Sequence, residues 1–506
     1  MDSMQPMQPT IEFQQHAIAP AEFHSRMLRC AQVLQSKGIG EGAVVALMMR
    51  NSPQLLELML ATRWLGALWC PINWHFKTDE VQYILNDSGA RVFVVDADLL
   101  GGLTSLQHDT ITTYVHRPDS QAASGDPSGP AQWTQARDAS DAYTGPARAP
   151  RGAMLYTSGT TGRPKGILRS AASPEQAATG LAVLRQVLGF EPGMRALVSA
   201  PMYHSAPNSY CIGASLEGAH LFIEPRFDAE QTLQLIERHR ITHAYLVPTM
   251  YVRMLALPQA VRNRYDIRSM RFVASTGSPC APDVKRAMID WWGPVINEAY
   301  GSSELGYMTL LTSADALRKP GSAGRPLDGV RVAILDDQAA PVAPGQTGLI
   351  YVHQGAYADF SYIGNDAARQ RMEIDGLKTL GDIGYLDDDG FLFIVDRSAD
   401  MVISGGVNIY PAEIEAVLQS MPGVADCAVF GIPDAEFGEA LGAAVQLQPD
   451  VALGKDAVIA FLKPRLAGYK IPKMVEFVAQ MPREDTGKIF KRKLREPYWA
   501  GMQRRI

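Results

Sequence analysis

Eleven residues, YTSGTTGRPKG at positions 156–166, hold the densest chemistry in the chain. The hydroxyls of Thr157, Ser158, Thr160 and Thr161 alternate with Gly159, Gly162 and Gly166, and Arg163 and Lys165 close the run. Glycines let backbone approach an anion closely. Exposed N–H groups and hydroxyls then cradle phosphate oxygens, and the cations balance their charge. A P-loop requires Gly-Lys followed by Ser or Thr. Here Pro164 precedes Lys165 and Gly166 follows it, so the Walker spacing fails. Five more clusters follow in order: PMYHS at 201–205, NEAYGSSE at 297–304, TLGDIG at 379–384, DRSADMVISGGVNIYP at 396–411 and PREDTGKI at 482–489.

These clusters need a scaffold to bring them together. The chain has 506 residues, enough for two to four domains at roughly 100–200 residues each. Its 46% apolar and 20% charged content is that of a globular protein rather than a disordered or coiled-coil one. A net charge of −6 supplies no basic field for nucleic acid. The five cysteines are scattered without a CxxC pair, which argues against a disulfide framework or zinc site and for a reducing, cytoplasmic setting. Neither a signal-peptide pattern at the first residues nor an apolar run of membrane-spanning length is expected.

Spacing predicts helices over 20–36 and 53–69 and buried strands at 44–48 and 91–95, the alternation of an α/β fold with a largely parallel sheet. Residues 117–151, rich in Ser, Ala, Gly, Pro and Asp, read as a long surface connection. Beyond about residue 345 glycine-punctuated strands dominate. A compact unit of about 110 residues follows Asp396, with a helix from Pro411 to Ser420, a strand at ADCAVFGI and a helix near Asp456–Leu462.

The 156–166 segment resembles the phosphate loop of the adenylate-forming superfamily, and the later clusters resemble that family's motifs in order, from about residue 22 to 495. The resemblance implies an AMP-forming acyl-CoA synthetase. Its fold would be α/β: a large N-terminal domain of layered α/β subdomains with a β-barrel-like part (residues 1–396), a hinge (397–401) and a small mobile C-terminal α+β domain (402–506). It implies ATP, Mg2+ and coenzyme A, a small-molecule carboxylic acid, no nucleic acid, no membrane span and a homodimer as the expected assembly.

By this resemblance Thr157, Ser158, Gly159, Thr160, Thr161 and Lys165 cradle the phosphates. Glu298, Ala299, Tyr300, Gly301, Ser302 and Ser303 surround the adenine and α-phosphate, with Tyr300 stacking on the base. Glu304, with Thr157, holds magnesium, a hard cation that favours oxygen ligands. Asp382 and Arg397 reach the ribose, and Ile394 joins the nucleotide contacts. Lys488 neutralises charge during adenylation only. His204 separates the acyl and nucleotide sites. Ser404, Gly405 and Gly406 edge a pantetheine tunnel, and Lys470 is either a phosphate contact or a surface lysine. The basic run Lys491, Arg492, Lys493 and Arg495 reads as a solvated face.

The family's hinge residue is commonly Asp or Lys, whereas Ala399 stands here with Asp400 next to it. Tyr203, Ser205, Ala206, Asn208, Thr276 and Gly277, with Ala299 and Ser302, are the expected acyl-pocket lining. Small residues at 205 and 206 leave volume for a medium- or long-chain fatty acid or an aryl-alkanoic acid. The alternative is a stand-alone adenylation enzyme that loads a carrier-protein thiol.

Overall fold

The structure is a computed structural model, and it describes residues 9–107, 110–117, 130–157, 164–397, 400–404, 407–434, 436–483 and 489–500. The chain forms two compact units. The first runs through Gly277 and adds Val284–Ala314 and Gln354–Arg371; the second comprises Ser278–Asp283, Asp315–His353 and the chain from Met372 onward. These units are not divided at residue 397.

The first unit is α/β. In its largest sheet the strands lie in the order Gly306–Leu311, Ile296–Ser302, Phe272–Ser275, His243–Tyr245, Arg195–Val198, His220–Ile223, Thr10–Phe13 and His16–Ile18. The strands from Ile296–Ser302 to Thr10–Phe13 run parallel, and each terminal hairpin is antiparallel. Arg195–Val198 has its successor His220–Ile223 on one side and the next strand, His243–Tyr245, on the other. Chain order therefore reverses direction there, and open parallel sheets bind ligands at such a switch point, beyond the carboxyl ends of the strands.

A second, fully parallel sheet orders Leu68–Pro71, Val44–Met48, Val92–Asp96, Thr112–His116 and Ala131–Gln132. Its strands are continuous apolar runs because they are buried. A small antiparallel sheet joins Leu155–Thr157, Lys165–Arg169 and Phe360–Tyr362.

Helix starts follow local chemistry. Ser52 caps Leu55 with Pro53 in the first turn, and Ser173 and Gln176 form a capping box ahead of Pro174–Leu188. The helix expected over 53–69 ends at Trp64. Gly66, at φ +66°, turns the chain into the strand Leu68–Pro71 instead. The 117–151 connection is also not merely a surface loop. It holds the helix Trp133–Asp138, whose Trp133 is fully buried and whose Arg137 pairs with buried Glu57 at 2.7 Å.

The second unit carries two sheets. The part expected to be barrel-like is an antiparallel sheet of Val330–Leu335, Gly348–Gln354, Leu377–Leu386, Glu373–Ile374 and Leu392–Arg397. The last orders Val407–Ile409, Val402–Ser404, Gly438–Leu447 and Val424–Asp434, with Met474–Phe477 paired to Gly438–Leu447. Helices Pro411–Gln419 and Lys455–Leu462 contribute Ile414, Leu418, Val458 and Leu462 to the core beneath it. Among the described residues no helix is long and apolar enough to cross a membrane.

Candidate active site

Two of the sequence clusters, and the expected pocket residues Thr276 and Gly277, stand at the carboxyl ends of strands in the largest sheet. Residues 199–204 follow Arg195–Val198, Thr276 and Gly277 follow Phe272–Ser275, and Ser303 and Glu304 follow Ile296–Ser302. Gly277 takes φ +97° as the chain leaves its strand, a conformation that favours glycine.

Two buried asparagines hold the 200–204 segment from opposite sides. Asn51 Nδ2 donates to the carbonyls of Ala200 (2.9 Å) and Glu224 (3.2 Å), and its Oδ1 accepts from Met202 N (2.8 Å). Asn208 Nδ2 donates to Met202 O (2.9 Å), while its Oδ1 accepts from Trp69 Nε1 (3.3 Å). Asn208 is 3% exposed. It braces the segment, with its amide engaged by Met202 and Trp69. Tyr203 packs edge-on against Trp74 (4.6 Å between centroids) and tilts against His204 (4.2 Å), so its ring too is buried. His204 is the cap residue of helix Ser205–Leu216. Ser303 Oγ donates to Ser205 Oγ at 3.1 Å and so joins the histidine segment to the Glu304 turn. Ala206 lies in the first turn of the same helix.

Behind residues 199–204, Glu224 is buried. Its Oε2 accepts from Ser199 and, at 3.2 Å, from Thr232. Burial pushes its carboxyl up to about 7, against the pull of those hydrogen bonds.

The Glu304 turn is fixed from below by residues outside every motif read from sequence. Arg169, on strand Lys165–Arg169, forks its Nη2 to the carbonyls of Ser303 (3.0 Å) and Glu304 (2.6 Å), and its Nη1 donates to Ala358 O (2.8 Å). The guanidinium lies 5.6 Å from the Tyr357 ring centroid. Tyr362 donates its hydroxyl to Glu304 Oε1 at 3.2 Å, and Lys165 Nζ sits 5.3 Å from the centre of the Tyr362 ring. Burial, then the Glu304 charge, push the Tyr362 phenol above its ordinary value. Ser302 Oγ accepts from Leu305 N (2.9 Å) to tighten the turn. The turn closes on Gly306 at φ +75°, where a Cβ would collide with the Tyr357 ring. Gly301 is crowded too, with a Cβ falling 2.7 Å from Gly306 O.

Tyr300 is half-buried in strand Ile296–Ser302, opposite Thr309, with Ala299 opposite Leu310. Glu298, expected among the nucleotide contacts, is ion-paired inside the unit with Lys285 Nζ at 3.0 Å. Burial pushes its carboxyl up and Lys285 opposes that shift. Thr157 and Lys165 pair across the hairpin that flanks the phosphate loop.

Within the second unit the structure brings Asp382 and Arg397 together. They are register partners, and Arg397 Nε donates to the nearly buried Asp382 Oδ1 at 3.0 Å. Ile394 lies on the same strand pair, opposite Gly384. Asp396 accepts from Ala412 N (3.0 Å) at the start of helix Pro411–Gln419. Burial pushes its carboxyl up, against the attraction of Lys491. Lys491 itself pairs with Glu415 at 2.9 Å. That corrects the reading of 491–495 as a wholly solvated run, because the first cation of the run faces inward. Lys470 engages both oxygens of Glu413 at 2.6 Å, which favours the surface-lysine alternative for it. Ser404 pairs with Val407 and Gly438. Ser158, Gly159, Thr160, Thr161, Ala399, Gly405, Gly406 and Lys488 lie outside the described residues.

Among the described residues no group of three His, Cys, Asp or Glu forms a metal cage. Magnesium characteristically takes one or two carboxylates plus substrate phosphates and water. Glu304, flanked by the hydroxyls of Ser302 and Ser303, offers hard oxygen donors of that kind, so the residues present fit the ion.

Comparison with known proteins places the chain in a family. Residues 4–358 match the model of the AMP-binding enzyme family, and residues 413–488 match that of the AMP-binding enzyme C-terminal domain. Feruloyl-CoA synthase of Amycolatopsis sp. is 33% identical over 95% of this chain and 94% of its own. The long-chain-fatty-acid–CoA ligase FadD13 of Mycobacterium tuberculosis is 34% identical over 95% of this chain and 93% of its own. ATP-bound MatB from Rhodopseudomonas palustris superposes with a TM-score of 0.86 at 30% identity, covering 99% of this chain and 97% of that one.

Proposed function

The chain belongs to the AMP-binding enzyme family, and on that premise we propose that it activates a medium- or long-chain fatty acid or an aryl-alkanoic acid as an acyl-adenylate and passes the acyl group to coenzyme A. At the level of reaction class it is an AMP-forming acid–thiol ligase. In the first step a carboxylate oxygen attacks the α-phosphorus of ATP, and pyrophosphate leaves. In the second, the thiol sulfur attacks the acyl carbon and AMP leaves with the oxygen that bridged carbon and phosphorus.

The first step brings two anions together, so positioning and electrostatics carry it. Magnesium, when bound, supplies charge neutralisation at the phosphates, and Glu304 is the residue that would hold it, with Thr157 the weaker assignment. The protein's part is to fix where these groups stand. The Ser303–Ser205 hydrogen bond is the observation that carries this reading, because it locks the proposed α-phosphate residue to the helix capped by His204. Tyr203, His204 and the small side chains at 205 and 206 then border the acid. Hydrophobic walls discriminate each methylene by only about 1–3 kcal/mol, so neighbouring acids react at graded rates. Relatives named for an aromatic acid and for long-chain fatty acids support that breadth. Asp382 and Arg397 are assigned to the ribose, Lys488 to the adenylation step, and rotation about 397–401 to the change between steps.

The test is pyrophosphate release from MgATP across acids from acetate to long fatty and aryl-alkanoic acids, with and without coenzyme A. Sustained turnover that needs coenzyme A and one of the larger acid classes supports the proposal. Acetate as the best substrate overturns the acid assignment. A single turnover that coenzyme A does not extend and a carrier-protein thiol does transfers the acceptor role to the carrier.

A further inference from the structure

We propose that Arg169 and Tyr362 are positioning residues for the metal-binding carboxylate, holding the Ser303–Glu304 turn and the rotation of the Glu304 side chain before nucleotide arrives. The inference rests on the reading of Glu304 as the magnesium carboxylate.

Arg169 is where the argument starts. A guanidinium drawn largely out of water normally faces a carboxylate, and Arg169 is half-buried. Among the described residues Arg169 has none within ion-pair distance, and its Nη1 and Nη2 go to three backbone carbonyls, Ser303, Glu304 and Ala358. Two of the three belong to the residues proposed to touch phosphate and metal. Nη2 holds two successive carbonyls while Nη1 holds Ala358 O, and the single nitrogen of a lysine ammonium cannot span all three. With both carbonyls pinned, the peptide planes on either side of Glu304 are set.

Tyr362 supplies the remaining degree of freedom. Its hydroxyl donates to Glu304 Oε1 at 3.2 Å, which fixes how the carboxylate is turned. Both residues come from the small antiparallel sheet, in which Phe360 pairs with Arg169 and Tyr362 with Ile167. The same sheet carries Lys165 at the end of the phosphate loop, with its ammonium 5.3 Å from the Tyr362 ring centre. One sheet thus presents the phosphate-loop lysine and the support of the metal carboxylate together. A displacement of the strand 165–169 is carried to Glu304 through Arg169 and through Tyr362.

The experiment measures metal binding directly. Mn2+ is titrated into the full-length protein with a non-hydrolysable ATP analogue, and bound ion is read by electron paramagnetic resonance, for wild type, R169M, R169K, Y362F and E304Q. Thermal unfolding of each variant is recorded alongside. Losing a hydrogen bond to a charged group weakens binding by about tenfold or more, so R169M and Y362F are expected to raise the half-saturating Mn2+ concentration by about tenfold, with R169K between them and wild type. Steady-state adenylation should then need correspondingly more Mg2+ and recover at saturating ion. Unchanged Mn2+ affinity in Y362F and R169M, with E304Q impaired, overturns the proposal. Unchanged affinity in E304Q overturns the reading of Glu304 on which it rests. Y362F removes a single atom, so it decides the question even if R169M does not fold.

Discussion

Gly306→Ala is the substitution whose cost the structure fixes most closely. Gly306 stands at φ +75° immediately after the Glu304 turn, and a Cβ there would fall under 3.0 Å from three atoms of the Tyr357 ring. Alanine in left-handed backbone costs roughly 1–2 kcal/mol. Forcing a methyl into a packed interior costs about 1–3 kcal/mol more. Tyr357 yields poorly, since its half-buried ring is packed between the Arg169 guanidinium and Gly180. The variant should therefore lose about 2–5 kcal/mol, or relax by moving the turn. Gly193→Ala is the control, because it has the same φ of +75° with nothing within 4 Å of a Cβ. It should lose only the backbone share, about 1–2 kcal/mol. Urea unfolding gives the two stabilities, and the Mg2+ dependence of pyrophosphate release reports any movement of Glu304. If Gly306→Ala costs no more than Gly193→Ala and needs no more Mg2+, Tyr357 does not wedge the turn and the argument fails.

Two further outcomes follow from buried charge. Glu224 titrates near 7 because burial disfavours its charge. Its folded value lies above the unfolded one, so the stability it contributes is complete below about pH 4.5 and is lost as pH rises through about 7. At about 1.4 kcal/mol per unit, Glu224→Gln should be more stable than wild type by about 3 kcal/mol at pH 8 and equal to it near pH 4.5; denaturant midpoints that move in parallel with pH would contradict this. Lys285→Met leaves Glu298 buried without its partner and should destabilise the protein by about 3–5 kcal/mol, with most of that recovered in Lys285→Met/Glu298→Leu. Calorimetric unfolding showing equal losses in the single and double variants would place the cost elsewhere.

What could be read from sequence was chemistry carried by residue type. A dense run of hydroxyls, glycines and cations points to an anion cradle by residue type, whereas the shared ribose expectation for Asp382 and Arg397 comes from the family resemblance; the structure adds that the two are register partners. Arg169 and Tyr362 are not legible in sequence, because the turn they hold lies far along the chain from each and the strand pairing that sets them side by side joins segments nearly two hundred positions apart. The signal available was a second cation, Arg169, closing the strand KGILR that opens with Lys165. Asn208 is an expected pocket residue whose partners Trp69 and Met202 are visible only in three dimensions. Trp133 was hidden by averaging, since one buried indole contributes little to the composition of a Ser-, Ala- and Pro-rich stretch. Lys491 shows the same limit for charge: a basic run reads as solvated until Glu415 is found across from its first member.

The central claim is that a carboxylate oxygen attacks the α-phosphorus of ATP. The most direct measurement uses an acid labelled with oxygen-18 in both carboxyl oxygens, turned over with ATP and coenzyme A, with the AMP analysed by mass spectrometry. AMP carrying one labelled oxygen, and pyrophosphate carrying none, is the predicted result. Label in inorganic phosphate with ADP as the nucleotide product, or AMP without label, would contradict the acyl-adenylate and with it the roles assigned to Ser303, Glu304 and their supports.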